Sequence, residues 1–158
     1  MRLIVEVTRA VKAAAPDLMI GARLSVTEWV EGGFAEDDAV EVAKALKAEG
    51  VSYICCSSGG NSPLQKVPTG PGYQVHLARI IREQAGIPVR AVGMIDEPQQ
   101  AEAILENGDA DMVALARPFL ADPRWPWRAA AALGGKIEPA PQLARGAHLI
   151  RKWTEEAA

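Results

Sequence analysis

The chain has 158 residues, of which 49% are apolar, and a formal net charge of −3. A chain of this length buries one sizeable core and has room for one domain. The weakly acidic charge leaves no basic footprint for nucleic acid or an anionic membrane, and no apolar run approaches the roughly 18 residues of a membrane span. No signal-peptide pattern opens the chain, so we expect a cytoplasmic protein that binds neither nucleic acid nor membrane.

The two cysteines, Cys55 and Cys56, are adjacent within an apolar run. Neighbouring residues of a strand point to opposite faces of a sheet, which argues against a disulfide between them. Two thiols alone are also too few to form a metal site. We therefore expect two buried thiols in a reducing compartment, and no metal.

Apolar residues follow a helical spacing in five segments and form short continuous runs in four others. Leu3, Val7 and Val11 fall on one helical face, and Pro98 stands where a helix favours proline as its first residue. The continuous runs predict strands of a parallel sheet, because such strands are covered on both faces. The predicted helices span residues 2–14, 36–49, 73–84, 98–106 and 125–133, and the predicted strands span residues 18–26, 51–56, 89–95 and 112–115.

Helices and strands that alternate in this way predict an α/β fold with right-handed βαβ units and a parallel sheet. Residues 1–133 run without a linker of domain type and form the predicted domain. Residues 134–158 are predicted to be a C-terminal tail, which begins with an extended Pro/Gly-rich stretch over 134–143. A doubly wound sheet remains an alternative to a barrel, although no GxGxxG or Walker-type loop follows the first strand.

The polar residues and glycines lie where such folds place function, at the carboxyl ends of the strands. Gly93 and Ala116-Arg117 end two successive strands. A small residue lets backbone N–H groups approach a ligand, and the arginine fork binds phosphate bidentately, so this pair predicts a phosphate site. Arg23 lies inside an apolar strand, where its charge needs either an ion pair or the anionic edge of a ligand. The long Pro/Gly-rich loop Asn61–Gly72 is of a kind that is usually functional.

We expect the other polar and aromatic residues to have structural roles rather than catalytic or metal-binding ones. Ser57–Gly60 predicts a tight turn rather than a nucleophile, because no His–Asp relay accompanies it. Trp125 and Trp127 flank a proline and are expected to pack. Asp109 and Asp111 precede a strand and are expected to be solvated turn residues rather than metal ligands.

Four segments together resemble the C-terminal half of the Old Yellow Enzyme family, the FMN-dependent ene-reductases, and in particular its thermophilic-like branch. The resemblance covers nearly the whole chain in order and implies a TIM (β/α)8 barrel, of which this chain supplies about four βα units, strands five to eight. The four segments are GARLSVTEWVEGGF, SSGGNSPLQKVPTGPGYQV, GIPVRAVGMI and GDADMVALARPFLADPRWPWRAA.

The resemblance implies a role in FMN binding for five residues. Arg23 would lie by the N1/O2 edge of the flavin and stabilise negative charge there. Gly93 and Met94 would line the phosphate and dimethylbenzene side, while Ala116 and Arg117 would hold the phosphate through a backbone N–H and the guanidinium.

A sixth residue, Arg145, stands in the segment QLARG, which is similar to the Gln-x-x-Arg-Gly context of that branch. There a C-terminal arginine reaches the substrate site of the partner subunit, although the family usually has an aromatic residue where Leu143 stands here. The resemblance therefore implies a substrate or intersubunit role for Arg145.

The chain departs from the family pattern at three points. Ala116 replaces the usual glycine, and Cys55 stands where relatives often carry an acidic residue. Nothing here matches the first four strands, which carry the substrate-anchoring histidine pair and a nearby tyrosine; His76 and His148 are not that pair. We therefore assign no catalytic residue to this half.

The resemblance implies an enzyme in which NADH or NADPH reduces FMN and the flavin passes hydride to the activated C=C bond of a small, enone-like substrate. We expect this half alone to be weakly active or inactive. The alternative is a non-catalytic half-barrel module that forms a homo-oligomer or complements a missing N-terminal half, because open strand edges and an exposed core favour pairing. A third interpretation is a fragment of another phosphate-binding barrel that uses a sugar phosphate.

Overall fold

The computed structural model describes residues 1–149 and residue 152, and its elements alternate as the sequence predicts. The helices are α1 (Arg2–Ala14), α2 (Glu36–Ala48), α3 (Val75–Ala85), α4 (Pro98–Glu106), α5 (Arg117–Ala121) and α6 (Trp125–Ala132), followed by a 3₁₀ helix at Pro141–Gly146. The strands are β1 (Gly21–Ser25), β2 (Tyr53–Ser57), β3 (Val89–Val92) and β4 (Met112–Ala114). None of the helices in the described part of the chain has the length and apolar character that a membrane span requires.

The four strands form one parallel sheet in the order β1-β2-β3-β4. Each strand therefore lies beside the next one in sequence, as consecutive βαβ units require. The register aligns Arg23 with Cys55, Cys55 with Arg90, and Arg90 with Met112. This confirms the predicted parallel α/β sheet of about four βα units.

One face of the sheet forms the core together with the helices. Leu24, Ile54, Cys56, Val89 and Ala91 are buried and share this face, because side chains alternate along each strand. Helix α3 packs against β2, β3 and α2. The apolar side of α3, with Leu77, Ala78 and Ile81, is buried, whereas Leu3, Val7 and Val11 on one side of α1 are exposed.

The opposite face, which we call the arginine face, carries two guanidinium groups. Gly21 leaves room there for the ring of Tyr53, since a Cβ at Gly21 would lie 2.2 Å from Tyr53 Cζ. The guanidinium carbon of Arg90 lies 4.9 Å from the centroid of the same ring. The arginine face comprises Gly21, Arg23, Ser25, Tyr53, Cys55, Ser57, Arg90, Val92, Met112 and Ala114.

The chain divides into two compact units, which we describe separately. The first unit contains Met1–Ile95 and Ile104–Ala114, and the second contains Asp96–Ala103 and Leu115–Ala158. Within the second unit, Trp125 Nε1 donates a hydrogen bond of 2.9 Å to Asp96 O, and the ring of Trp125 lies 6.1 Å from that of Phe119. The predicted packing role of Trp125 is confirmed.

All four predicted strands are longer than the strands observed. Strand β1 begins at Gly21 rather than at residue 18, and Leu18 and Met19 are exposed. Strand β3 ends at Val92 because Gly93 and Met94 adopt positive φ angles of 118° and 49°, which an extended strand cannot accommodate.

The predicted extended tail is wrong from Pro141 onward. Residues 141–146 form the 3₁₀ helix, in which Leu143 N donates to Ala140 O at 2.8 Å. Proline lacks an N–H and has a fixed φ near −65°, so Pro141 suits the first helical position rather than continued extension.

Asp109 and Asp111 lie in the bend before β4, where Asp111 is exposed, and both also have protein partners that the sequence analysis did not predict. Asp111 Oδ2 accepts a hydrogen bond of 2.9 Å from Val89 N, and Asp111 Oδ1 accepts one of 3.1 Å from Arg82 Nε. Asp109 Oδ1 pairs with Arg79 Nη1 at 3.3 Å. Both carboxylates connect the segment before β4 to helix α3, and the sequence alone does not reveal these long-range partners.

Candidate functional site

The carboxyl ends of β1 and β2 hold Arg23 in a defined orientation. Arg23 Nε donates to Ser57 Oγ at 3.1 Å, and Ser57 Oγ in turn donates to Leu24 O at 3.1 Å. The Arg23 side chain is exposed, and no carboxylate within the described residues forms an ion pair with it. The sequence leaves open an ion pair or an anionic ligand as the partner of Arg23, and the described residues contain no such ion pair. A guanidinium held in place at a strand end is suited to an anionic ligand.

Gln74, which the sequence analysis missed, links the ends of β2 and β3. Its Oε1 accepts a hydrogen bond of 2.7 Å from Ser58 Oγ, and its Nε2 donates one of 2.9 Å to Val92 O. The residue is only 3% exposed, so both amide atoms need partners. A glutamine just before a helix carries no distinctive sequence signal, and its role depends on two strands that are distant in sequence.

Gly93 lies directly against this glutamine. A Cβ at Gly93 would lie 2.5 Å from Gln74 Nε2, and the φ of 118° is itself strained for any other residue. Met94 follows at φ 49°, and its carbonyl accepts a hydrogen bond of 3.1 Å from Gly72 N. Glycine at position 93 is therefore required by the packing of the protein itself, and the end of β3 is tied to the end of the long loop.

Ser57 ends β2, and residues 58–60 continue as irregular chain with positive φ angles of 62° at Gly59 and 91° at Gly60, so no hydrogen-bonded tight turn forms where the sequence predicts one. Gly59 N donates to Thr27 O at 3.1 Å, and Gly60 N donates to Gln65 Oε1 at 2.6 Å. Because both N–H groups have partners within the protein, they are not free to cradle a phosphate. The Ser58 hydroxyl donates to Gln74 and contacts no histidine, so the described residues form no nucleophile relay in this segment.

Ala116 and Arg117 belong to the second unit, whereas Arg23, Gly93 and Met94 belong to the first. Ala116 precedes α5, and Arg117 is its first residue, followed by Pro118. Both Ala116 and Arg117 are exposed, and Arg117 has no ion pair within the described residues. The guanidinium of Arg117 is thus available to an anion.

Arg145 lies in the 3₁₀ helix of the second unit and lines a cavity of about 440 Å³. The guanidinium carbon of Arg124 lies 5.4 Å from the ring centroid of Trp127 in the same cavity. All residues that line this cavity belong to the second unit. The cavity is lined by Arg124, Trp127, Gln142, Leu143, Arg145, Gly146 and Leu149.

The two cysteines lie on opposite faces of the sheet, as their adjacency predicts. Cys56 faces the helices, where burial, followed by the nearby Cys55 thiol, raises the pKa of Cys56 to about 12. Cys55 lies on the arginine face beside Arg90 and is also buried. Cys56 is consequently a protonated, inert thiol at ordinary pH.

Comparison with known proteins gives a family match over most of the chain. The model of the NADH:flavin oxidoreductase / NADH oxidase family matches residues 1–134. The NADPH dehydrogenase of Geobacillus thermodenitrificans is 44% identical over 124 residues, which are 78% of this chain and 36% of that protein. The NADH oxidase of Thermoanaerobacter brockii is 39% identical over 134 residues, which are 82% of this chain and 21% of that protein.

A solved structure shows the same arrangement of strands and helices. Histamine dehydrogenase from Rhizobium sp. 4-9 superposes with a TM-score of 0.66 at 27% sequence identity, over 79% of this chain and 19% of that one. The four parallel βα units correspond to part of a TIM barrel. The chain spans 36% of the length of the Geobacillus relative, so it matches only part of such an enzyme.

Proposed function

Because the chain belongs to the NADH:flavin oxidoreductase / NADH oxidase family, we propose that it contributes part of an FMN site to an NAD(P)H-dependent oxidoreductase of the ene-reductase type. The observation that carries the proposal is Arg23, an exposed guanidinium that Ser57 orients at a strand end, without a carboxylate partner in the described residues. FMN is anionic at its phosphate, and its ring gains negative charge on reduction. The first unit offers Arg23 and the second offers Arg117, and a guanidinium group is suited to bind phosphate and other anionic groups.

When bound, FMN supplies hydride transfer between a nicotinamide and an activated alkene. Arg23 would place fixed positive charge beside the edge of the ring where negative charge develops, and Ser57 would limit its rotation. Gln74 would keep the ends of β2 and β3 at a constant separation through its two hydrogen bonds. Arg117 and the N–H group of Ala116 would bind the phosphate, and the side chain of Met94 would border the ring.

The proposed ene-reductase activity is supported by the four sequence segments described above. It implies a small substrate of the enone type. Arg145 is proposed to approach the substrate of a partner subunit, while the substrate-anchoring groups would come from strands outside these residues. We propose a cytoplasmic location, which is supported by two cysteines that are free and buried rather than bridged. The determinants of the choice between NADH and NADPH are proposed to lie mostly outside these residues.

FMN titration of the purified chain tests the proposal. We expect quenching of flavin fluorescence with a Kd on the order of micromolar, and a loss of about 10- to 100-fold in R117A, the range for a hydrogen bond to a charged group. Riboflavin, which lacks the phosphate, provides the control: R117A should weaken FMN binding and leave riboflavin binding unchanged. The control variant K44E alters a charge on the outer helix α2 and should bind both flavins normally.

The proposal fails if neither flavin binds at any oligomeric state of the chain. It also fails if R117A weakens riboflavin as much as FMN, because the guanidinium would then not act on the phosphate.

A further inference from the structure

The helices α1, α2 and α3 each have a basic residue in the last turn. These residues, Lys12, Lys47 and Arg82, recur at an interval of 35 positions in the sequence. The carbonyl groups at a helix C-terminus carry partial negative charge, so a cation there stabilises its own helix. Each of the three side chains also reaches the end of the helix that follows.

The two lysines donate hydrogen bonds to carbonyl groups at the end of the next helix. Lys12 Nζ donates to Gly50 O, just beyond α2, at 3.2 Å. Lys47 Nζ donates to Gly86 O at 2.6 Å and to Ala85 O at 3.3 Å, where α3 ends. The last carbonyl groups of a helix have no partner within the helix, so the ammonium groups supply donors that these carbonyl groups would otherwise lack.

Arg82 reaches the segment after α4 in a different way. Its Nε donates to Asp111 Oδ1 at 3.1 Å rather than to a carbonyl group. Its Nη1 lies 3.8 Å from the position that a Cβ would take at Gly108, two residues after the end of α4. The last turn of α4 has no basic residue, so the series ends with α3.

A glycine follows each of the helices that receive these contacts. Gly50, Gly86 and Gly108 have φ angles of 82°, 61° and 72°, a left-handed conformation that commonly ends a helix. A Cβ at Gly50 would lie 2.7 Å from Lys12 Nζ. A Cβ at Gly86 would lie 3.3 Å from Lys47 Nζ. Glycine thus both turns the chain and leaves room for the ammonium group.

Neighbouring helices of parallel βα units run in the same direction, so their C-terminal ends lie side by side at the edge of the sheet where the strands begin. Helix α2 packs against both α1 and α3. The partial negative charges of adjacent helix ends repel one another, whereas a cation between two such ends is attracted by both. A basic residue in the last turn of one helix that contacts the end of the next occupies this position.

We propose that Lys12, Lys47 and Arg82 form a repeated bridge, in which one cation joins the C-terminal ends of two neighbouring helices and fixes the second helix relative to the first. The inference does not depend on the proposed flavin chemistry. For α3 the bridge acts at the end opposite Gln74, which precedes this helix and is hydrogen bonded to Ser58 and to the end of β3. Helix α3 is therefore held at both ends of the strands.

The junction of α2 and α3 gives the sharpest test, because the junction of α1 and α2 has a second link, from Arg9 Nε to Glu49 Oε2 at 2.8 Å. K47M keeps most of the length of the side chain and removes its charge. In the ¹⁵N-labelled full chain, amide hydrogen exchange of Gly86 at the end of α3 should become about tenfold faster. Exchange of Gly50 at the end of α2 should become about two- to fivefold faster, because the same cation stabilises that end.

Two further variants and one further amide are the controls. K44M removes the same charge three residues earlier in α2 and should leave both glycine amides unchanged. K47R retains the charge and the donors and should exchange as the wild type does. The amide of Ala78, near the start of α3, should keep its rate in K47M, which distinguishes opening of the helix end from global loss of stability.

The proposal is overturned if K47M leaves the exchange of either Gly86 or Gly50 unchanged. It is also overturned if K47R exchanges as fast as K47M, or if K47M accelerates Ala78 as much as Gly86.

A measurement on the wild-type chain keeps the proposal testable if K47M does not fold. The ammonium protons of Lys47 should exchange with water at least about threefold more slowly than those of Lys66. Lys66 is exposed in the long loop and forms no ion pair within residues 1–149 and 152. NMR spectroscopy of the lysine ammonium groups at low temperature measures both rates, and equal rates overturn the proposal.

Discussion

Individual residues of this protein act through partners that are distant in the sequence. Arg23 is oriented by a serine 34 positions later, and Gly21 is a glycine because the ring of Tyr53 occupies the space of its Cβ. Adding that Cβ would force an aromatic ring out of a packed position, with a cost in the range of overpacked cores, about 1–3 kcal/mol. The orientation of Arg23 and the requirement for glycine at position 21 thus depend on the same strand pair, β1 and β2.

Cys56 leads to a testable pH dependence of stability. Burial raises its pKa from 9.0 to about 12 in the folded chain, so between these values the unfolded chain releases the thiol proton and the folded chain retains it. The stability that the protonated Cys56 thiol contributes is fully present below pH 9. The free energy of unfolding should fall as pH rises from 9 toward 12, by at most about 1.4 kcal/mol per pH unit.

Urea unfolding at about pH 8 and about pH 10.5 measures this effect against C56V, which has no titrating thiol at this position. Other groups that titrate in this range contribute to both proteins and cancel in the comparison. Equal losses of stability in the wild type and in C56V would contradict the prediction.

At the scale of elements, side-chain hydrogen bonds join the ends of the strands in addition to the backbone hydrogen bonds of the sheet. Gln74 joins β2 to β3 at the carboxyl edge, and Asp111 joins β3 to α3 at the opposite edge. The strands themselves are only three to five residues long. Side-chain hydrogen bonds at both ends of the strands therefore add to the few backbone hydrogen bonds that such short strands can form.

Replacement of Asp111 separates its hydrogen bond from its ion pair. D111A leaves the N–H of the buried Val89 without its side-chain acceptor and should cost about 1–3 kcal/mol of unfolding free energy. D111N retains an acceptor oxygen and loses only the partly exposed pair with Arg82, so it should cost less than about 1 kcal/mol. Urea unfolding of both variants, with D109A as the control for an ion pair alone, measures the difference. The assignment is wrong if D111N is as destabilised as D111A.

At the scale of the whole molecule, the four βα units form one parallel sheet, and one face of this sheet carries Arg23 and Arg90. An enzyme of this type must also anchor its substrate and exclude water from the reacting atoms. The groups that the resemblance assigns to substrate anchoring belong to strands that these residues do not include.

We therefore expect the isolated chain, supplied with FMN and NADPH, to reduce cyclohexenone no faster than free FMN does under anaerobic conditions. NADPH consumption and saturated ketone, measured together, test this expectation. A rate more than about tenfold above free FMN that is lost in R117A would show that this half is sufficient for catalysis.

The sequence alone was sufficient to predict the parallel α/β sheet, the four βα units and the family. Apolar periodicity, turn residues and short motifs are local properties, and each can be read without knowledge of the partners of a residue. Helix α1 and helix α4 begin and end where the pattern predicts, at Arg2–Ala14 and Pro98–Glu106. The candidate arginines were also named from the sequence, because a charge next to an apolar run is conspicuous.

Only the tertiary structure decided which atoms meet. The partners of Gln74 and Asp111, the ring that fills the space above Gly21 and the buried Nε of Arg90 all depend on strand register. Register brings together residues that are 18 to 35 positions apart, and neither periodicity nor composition encodes such a pairing. The contact of the Arg90 guanidinium with the Tyr53 ring therefore becomes visible only when the strands are assembled in register.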